Sequence, residues 1–306
     1  MAITAALVKE LREKTGAGMM DCKKALTECG GDLDSSVDWL RKKGIASAGK
    51  KAGRTASEGV VAVAQGNGNG VIVELNIETD FAAKNESFQK AARDIAQTAL
   101  EKGIKDIESL KSASYPGKSH SIEDEIKELI GSIGENIDLR RIDTVQGDNV
   151  ISYIHNKIAD GLGQVGVIVA YSTQGDADKA GDFCRQVAMH VAAMKPEALN
   201  VADLDESLVE RERQILTEQA RASGKPDEVI AKMIEGRIRK FYAEVVLVEQ
   251  AFVIDGKTAV KDALKEAEKE IGGATSISGY ARLTLGEGVE KKEEDFAAEV
   301  AKAAGA

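Results

Sequence analysis

One stretch of the sequence has the residue types and spacing of an enzyme motif. Residues 161–166 match G-x-G-x-x-G, and Asp182 lies about twenty residues further on, where an acid would contact a ribose. In a dinucleotide site, however, the glycines leave a strand and open a helix, so that the pyrophosphate meets the helix N-terminus. Here the glycines lead into the apolar segment 165–172, which predicts a strand. A glycine-rich turn is the favoured interpretation, and an NAD-binding enzyme is kept as an alternative.

No other catalytic pattern follows from the sequence, which lacks the P-loop, H-E-x-x-H and G-x-S-x-G motifs. The residues that could bind a metal are scattered along the chain: His120, His155 and His190, with Cys22, Cys29 and Cys184. None has a His or Cys neighbour at ligand spacing, and the odd, sparse cysteines argue against disulfides and zinc alike. We therefore expect no catalytic residue, no metal site and no cofactor.

The segment 71–102 is predicted to change from a strand to a helix part-way along. Apolar residues alternate at period two over 71–77 and predict a strand, after which Thr79 can cap a helix that extends to about residue 102. Asp80 and Phe81 therefore lie where the strand hands over to the helix, a place that often presents side chains to a partner. Periodicity alone favours a different interpretation: Phe81 precedes Phe88 by seven residues, so one continuous helix would bury both.

Composition and charge exclude several classes. The 306 residues are 43% hydrophobic and 30% charged, long enough for two or three domains, and no apolar run approaches the length of a membrane helix. The absence of a signal-peptide pattern favours a cytoplasmic protein. Residues 1–54 carry eleven Lys or Arg against seven Asp or Glu, whereas the remainder has a net charge of −14. An acidic body of this kind disfavours nucleic-acid binding.

The elements that must position these residues are an N-terminal head and a mixed core. Residues 1–43 predict three short helices, capped by Thr4, Asp21 and Asp32, followed by a linker at 46–57. Two strands flank the glycine- and asparagine-rich turn 66–70 and predict a hairpin. With later helices and a strand at 137–145, the first half is β-β-α-α-β.

The second half repeats this order in a diverged form. Strands are predicted at 150–155, 165–172 and 277–285, with a helix over 177–194. Two helices around residues 208–241 predict an antiparallel hairpin inserted into this half. A last helix is expected over 294–304, built around Phe296 and Val300.

Several motifs, in order along the chain, carry a resemblance to a known family. T-D-F-A-A-K-N-E at 79–86 resembles the signature of bacterial elongation factor Ts, and the segment 9–28 resembles the opening of the same family. I-G-E-N-I at 133–137, G-K-P at 224–226 with M-I-E-G-R at 233–237, and G-E-G-V-E-K at 286–291 are similar to its later segments. Each match is modest, but together they span nearly the whole chain.

The resemblance implies an α+β fold with a ubiquitin-associated-like (UBA-like) three-helix module and two related core subdomains. The expected divisions are a head and linker at 1–54, core subdomains at 55–146 and 147–285, a helical hairpin at about 196–242 within the second, and a C-terminal helical module at 286–306. In the family the hairpin protrudes and can pair with another copy, so a homodimer is a further expectation.

The resemblance also implies a function without an active site: guanine-nucleotide exchange on elongation factor Tu, a GTPase. No direct contact with nucleotide, nucleic acid or membrane is expected. The residues that the resemblance assigns to the partner's magnesium and phosphate site are Thr79, Asp80, Phe81 and Ala82. Those that it assigns to other partner contacts are Lys23, Lys24, Ile133, His155 and Phe296. A helical-module adaptor, resting on residues 1–43 alone, is the other alternative.

Overall fold

The computed structural model describes residues 3–221 and 226–289, without the side chains at 45–47 and 227. The predicted helix over 294–304, with Phe296, lies outside the described residues, as does the segment 222–225 between the two helices of the predicted hairpin. Over the part described, the fold is α+β, as the sequence predicts. None of the helices in these ranges is long and apolar enough to cross a membrane.

The head comprises three helices, α1 (Ala5–Thr15), α2 (Met19–Glu28) and α3 (Leu33–Lys51). Thr4 and Asp32 cap α1 and α3 as predicted, because their side chains accept hydrogen bonds from the amides of Leu7 and Ser35. The prediction for Asp21 is wrong: the N-cap of α2 is Gly18, three residues earlier, and Asp21 lies in the first turn, where a carboxylate interacts favourably with the helix dipole.

The predicted linker at 46–57 is also wrong over its first half, because α3 continues to residue 51. Its alanines and lysines are good helix formers, and its far end packs on a core helix, α7 (Ile122–Ile133). The two helices cross at a pair of glycines, where a Cβ added at Gly131 would lie 2.5 Å from the Cα of Gly44. This close crossing attaches the head to the core.

The first half of the core begins with strands β1 (Glu58–Gly66) and β2 (Asn69–Ile77), paired as the predicted hairpin. Its two-residue turn needs positive φ at both positions, which Asn67 (50°) and Gly68 (72°) supply. The remaining elements are α4 (Asp80–Ala83), α5 (Glu86–Lys102), α6 (Ile107–Ser112), α7 and β3 (Ile137–Gln146).

The second half has the same order with more insertions. Its elements are β4 (Asn149–Ala159), β5 (Leu162–Thr173), α8 (Ala177–Met194), α9 (Glu206–Arg221), α10 (Asp227–Val245), α11 (Val260–Ile271) and β6 (Thr275–Thr284). The glycines at 161–166 form the turn before β5 and its first residues, so the prediction that they enter a strand is confirmed. Helices α9 and α10 pack on each other through Leu216, Ala220, Ile230, Ile234 and Ile238. Helix α11 was not predicted from the sequence.

All strand pairs are antiparallel, in the order β3-β2-β1-β5-β4, with β6 also paired to β5. In each half, a hairpin is followed by helices and a third strand that pairs with the second strand of the hairpin. This shared order agrees with the expectation that the second half is a diverged copy of the first. The predicted domain boundaries remain a prediction.

Strand β2 lies at the centre of the packing and is buried on both faces. Val73 and Leu75 pack against the helices of the first half, and Ile72 packs against β5 and β6 of the second. The alternation expected along this strand is therefore incomplete, since Glu74 and Asn76 are buried as well. Glu74 is neutralised by the guanidinium groups of Arg140 (2.9 Å) and Arg141 (2.5 Å).

Candidate partner-binding site

The chain turns directly from β2 into a helix of only four residues, α4. The Thr79 hydroxyl accepts a hydrogen bond from the amide of Ala82 at 3.2 Å, so the predicted N-cap is confirmed. The helix ends at once, because Asn85 begins a second helix: its side-chain oxygen accepts from the amides of Ser87 (2.9 Å) and Phe88 (3.3 Å). The single helix expected from Thr79 to about residue 102 is therefore two helices.

This break separates the two phenylalanines. Phe88 is fully buried, whereas the Phe81 side chain is 80% exposed. The interpretation that placed Phe81 in the core beside Phe88 is wrong, since it required one continuous helix. Aromatic residues are enriched at protein–protein interfaces relative to the rest of the surface, which makes the exposed Phe81 a candidate contact residue.

A lysine ammonium lies over the exposed ring. The Lys84 ammonium lies 5.3 Å from the centre of the Phe81 ring and 3.0 Å from a carboxylate oxygen of Asp80. A cation over an aromatic ring at an exposed site contributes about 0.5–1 kcal/mol, too little to bury the ring. Ala83 is buried and Ala82 packs against the core, so the turn is anchored while the ring projects outward.

Two motifs that are far apart in the sequence meet at this turn. The Glu135 carboxylate accepts two hydrogen bonds from Thr79, from its amide at 2.9 Å and from its hydroxyl at 2.8 Å. In return, the Glu78 carboxylate accepts from the amide of Asn136 at 2.6 Å. The Asn136 side chain also donates to the carbonyl of Arg54 at 2.8 Å, which ties the end of the head segment to the same turn. We call Glu78, Thr79, Glu135 and Asn136 the clamp.

Sequence reasoning missed most of the clamp. It assigned Thr79, but it gave no role to Glu78, Glu135, Asn136 or Arg54. A partial signal lies in the sequence: the motif at 133–137 contains Glu135 and Asn136, and Glu78 directly precedes the motif at 79–86. Ile133, the one residue assigned in the second motif, is half-buried at the end of α7, next to the clamp.

The remaining assigned residues lie on other surfaces. His155 is exposed on β4, at the end of the strand order opposite β3, and its Nδ1 is 3.0 Å from the Tyr153 hydroxyl. Lys23 and Lys24 are exposed on α2 of the head. The structure thus brings Thr79–Ala82 and Ile133 into one region, whereas His155 and the two lysines belong to separate elements.

The head presents a groove that the sequence analysis did not identify. It has a volume of about 620 Å³ between α1 and α2, and Lys23 lies at its rim. The apolar and basic side chains that line it are those of Ile3, Val8, Lys9, Arg12, Met19, Met20 and Lys23. Met19 and Met20 are 59% and 76% exposed, and adjacent exposed methionines are adaptable contact groups. Lys24 is outside this lining.

Comparison with known proteins assigns the family. The model of the family "Elongation factor TS" matches residues 78–287. Proteins named elongation factor Ts are similar over almost their full length. They are 56% identical in Bartonella bacilliformis and 51% in Rhodospirillum centenum, with 99% of each chain covered, and 55% in Paracoccus denitrificans, with 99% of this chain and 98% of the relative covered. The chain belongs to the elongation factor Ts family.

Membership makes the chain a translation elongation factor, and the resemblance noted in the sequence is confirmed. The family match begins at Glu78, the first clamp residue, and ends at Glu287. It therefore includes the exposed Phe81 and the whole clamp. The head lies outside this match but inside the alignments with the elongation factor Ts relatives, which span the chain.

A second apolar surface of this elongation factor Ts family member lies in its second half. Val253 and Ile254 are 42% and 54% exposed, in the segment before α11. Their position depends on buried His190, whose Nδ1 accepts from the amide of Val253 at 3.1 Å and whose Nε2 is 2.9 Å from the side-chain oxygen of Gln250. Because Nδ1 accepts, the proton is assigned to Nε2. Burial lowers the pKa of His190, so it is a neutral structural residue.

One cluster has the residue types of a metal site. His120, Glu125 and Glu128 place candidate ligand atoms within 4.8 Å of one another. The Lys118 ammonium already lies 2.5 Å from a Glu125 oxygen, and the Arg41 guanidinium lies 2.9 Å from one of Glu128. The carboxylates are thus neutralised by protein cations. We interpret the cluster as an ion-pair network that joins α3 of the head to α7 of the core.

Proposed function

We propose that this chain is a guanine-nucleotide exchange factor for elongation factor Tu. The observation that supports this most directly is the exposed ring of Phe81, on a turn held in place by hydrogen bonds. A GTPase retains GDP through its magnesium ion and phosphate loop, and an exchange factor favours a conformation in which those contacts are damaged. It needs no contact with the nucleotide itself.

Phe81 is the residue we assign to this change. Inserted between helices of the partner's GTPase domain, its ring would contribute about 1.5–3 kcal/mol through burial. The exchange factor and the nucleotide are two ligands of the partner, and the coupling between them is reciprocal. The free energy by which the factor prefers the nucleotide-free form therefore equals the free energy that nucleotide binding loses. A gain of this size is about a ten- to 150-fold change in equilibrium, so further contacts must contribute to emptying the site.

The neighbouring residues have supporting roles in this proposal. Asp80, with Thr79 and Ala82, completes the segment that disturbs the partner's magnesium site. Because the turn is already formed in the free chain, little conformational freedom is lost when the ring is inserted. In this proposal the chain acts by binding alone, without making or breaking a covalent bond, so the proposed activity is exchange and not enzymatic catalysis.

Other surfaces extend the contact. Lys23 and Lys24, with the adjacent head groove, would bind the GTPase domain, whereas Ile133 and His155 would meet the partner's other domains. Phe296 would add a peripheral contact. The helical hairpin exposes Leu208, Ile215 and Val229, 39–43% each, and this surface would form the proposed homodimer.

The test measures release of a fluorescent GDP analogue from the cognate elongation factor Tu. Substoichiometric amounts of the chain should accelerate release and leave the GDP/GTP equilibrium of the free partner unchanged. The two proteins should co-elute without nucleotide and separate when GDP and magnesium are added. A release rate that does not change with the concentration of the chain would contradict the proposal.

A further inference from the structure

The four-residue helix that carries Phe81 cannot hold its own shape. A helix this short has almost no intrinsic stability, because nucleation fixes several residues for very few hydrogen bonds. The Phe81 ring is 80% exposed and so contributes no packing of its own. The buried Ala83 fixes the base of the turn, but a methyl group leaves its orientation loosely defined. Hydrogen bonds at its N-cap, Thr79, must therefore set the direction of the ring.

Glu135 supplies these hydrogen bonds with both of its carboxylate oxygens. One oxygen accepts from the Thr79 amide (2.9 Å) and the other from the Thr79 hydroxyl (2.8 Å). The Thr79 hydroxyl proton points to Glu135. A lone pair on the Thr79 hydroxyl oxygen is therefore free to accept a hydrogen bond from the amide of Ala82 at 3.2 Å. A continuous chain of hydrogen bonds therefore runs from Glu135 through Thr79 to the residue after Phe81.

We propose that Glu135 is a positioning residue for exchange, acting through Thr79 on the direction in which Phe81 projects. The inference rests on the proposed function, to which it adds a residue that touches neither the nucleotide nor the inserted ring. The fully ionised carboxylate is required, since only two acceptor oxygens satisfy both donors of Thr79. The reciprocal bond from the Asn136 amide to Glu78 keeps the two segments in register when the partner binds.

The main experiment is a double-mutant cycle in the GDP-release assay. Glu135→Ala should lower kcat/KM about tenfold or more, the scale of a lost hydrogen bond to a charged group. In a Phe81→Ala background the same change should have little further effect, because no ring remains to be positioned. An equal loss in both backgrounds, or no loss in either, would overturn the proposal.

Conservative variants separate positioning from general damage. Glu135→Gln keeps one acceptor oxygen and should fall between the unaltered chain and Glu135→Ala. Glu123→Ala is the matched control: this exposed glutamate lies in the first turn of α7, and its carboxylate forms an ion pair with the half-buried Lys127 at 2.8 Å. Full activity of Glu135→Gln would contradict the need for two acceptors.

Amide hydrogen exchange in the free chain tests the clamp without the partner. Glu135→Ala should accelerate exchange at Thr79 and Ala82 and leave the buried strand β2 unchanged. Unchanged exchange at these two amides would refute the clamp. If the unaltered chain fails to release GDP from its partner while these amides respond as expected, the proposed function is wrong and the hydrogen-bond chain is correct.

Discussion

Replacing Phe81 with alanine separates the contribution of this ring to folding from its contribution to the partner. The ring is 80% exposed, so its removal forfeits little buried area. Surface substitutions of this kind change the free energy of unfolding by no more than about 0.5 kcal/mol. Even loss of the contact with Lys84 keeps the change near this limit, since an exposed cation–π pair contributes about 0.5–1 kcal/mol.

The effect on exchange should be much larger. If the ring is buried in the complex, its loss removes about 1.5–3 kcal/mol of binding to the nucleotide-free partner. This converts to a decrease in kcat/KM for GDP release of about ten- to 150-fold. Phe88→Ala, seven residues along, should show the opposite pattern, with a loss of about 3–5 kcal/mol in stability because that ring is fully buried.

Two measurements on each variant are sufficient: chemical denaturation followed by circular dichroism, and the rate of fluorescent GDP release at several concentrations of the factor. Met194→Ala, a change to an exposed apolar residue at the end of α8, is the control and should leave both values near those of the unaltered chain. A Phe81→Ala protein that releases GDP at the full rate would refute the proposed insertion of the Phe81 ring into the partner. A loss of stability comparable to that of Phe88→Ala would show that the ring belongs to the core.

Three further predictions concern the scaffold. Gly59→Ala should destabilise the fold by more than about 1 kcal/mol, because φ is +132° and a Cβ would lie 2.2 Å from the carbonyl oxygen of Leu75. Its counterpart is Gly236→Ala, within helix α10, where nothing lies within 4 Å of the added Cβ. This change should stabilise the fold by about 0.5–1 kcal/mol. Glu74→Ala should cost about 3–5 kcal/mol in urea denaturation, since it leaves Arg140 and Arg141 without their buried counter-charge. For His190, burial lowers the pKa in the folded state, so the unfolded chain binds the proton more readily. The thermal midpoint should therefore fall as the pH drops below about 6.5. His190→Gln should reduce this pH dependence of the thermal midpoint.

Local patterns predicted much of the fold. The helix at 177–194 was expected within its observed bounds, and the β1–β2 hairpin followed from alternation on either side of a glycine- and asparagine-rich turn. Thr4, Asp32 and Thr79 were identified as caps because a short polar side chain at the start of an apolar-periodic segment satisfies free amides. These features depend on residues close together in the sequence.

The features that were missed depend on contacts between distant segments. Glu74 and Asn76 are buried in β2, because the second half of the sheet covers the face that alternation assigns to solvent. The ion pairs of Glu74 depend on the strand register that places Arg141 opposite it. That register cannot be derived from the composition of either strand alone. The clamp is of the same kind, since Thr79 and Glu135 are 56 residues apart.

A local signal in the sequence, the helix cap at Asn85, determines whether Phe81 is buried or exposed. Asn85, followed by Glu86, is a good helix start inside a segment whose apolar spacing suggests one uninterrupted helix. Periodicity favoured burial of Phe81, because residues seven apart share a face on one continuous helix. That spacing loses its meaning where the helix is interrupted. The cap at Asn85 resets the helical phase, so the face that buries Phe88 no longer includes Phe81. An exposed aromatic ring at this position therefore requires two devices in sequence, a cap that ends the helical register and a carboxylate that fixes the short turn before it.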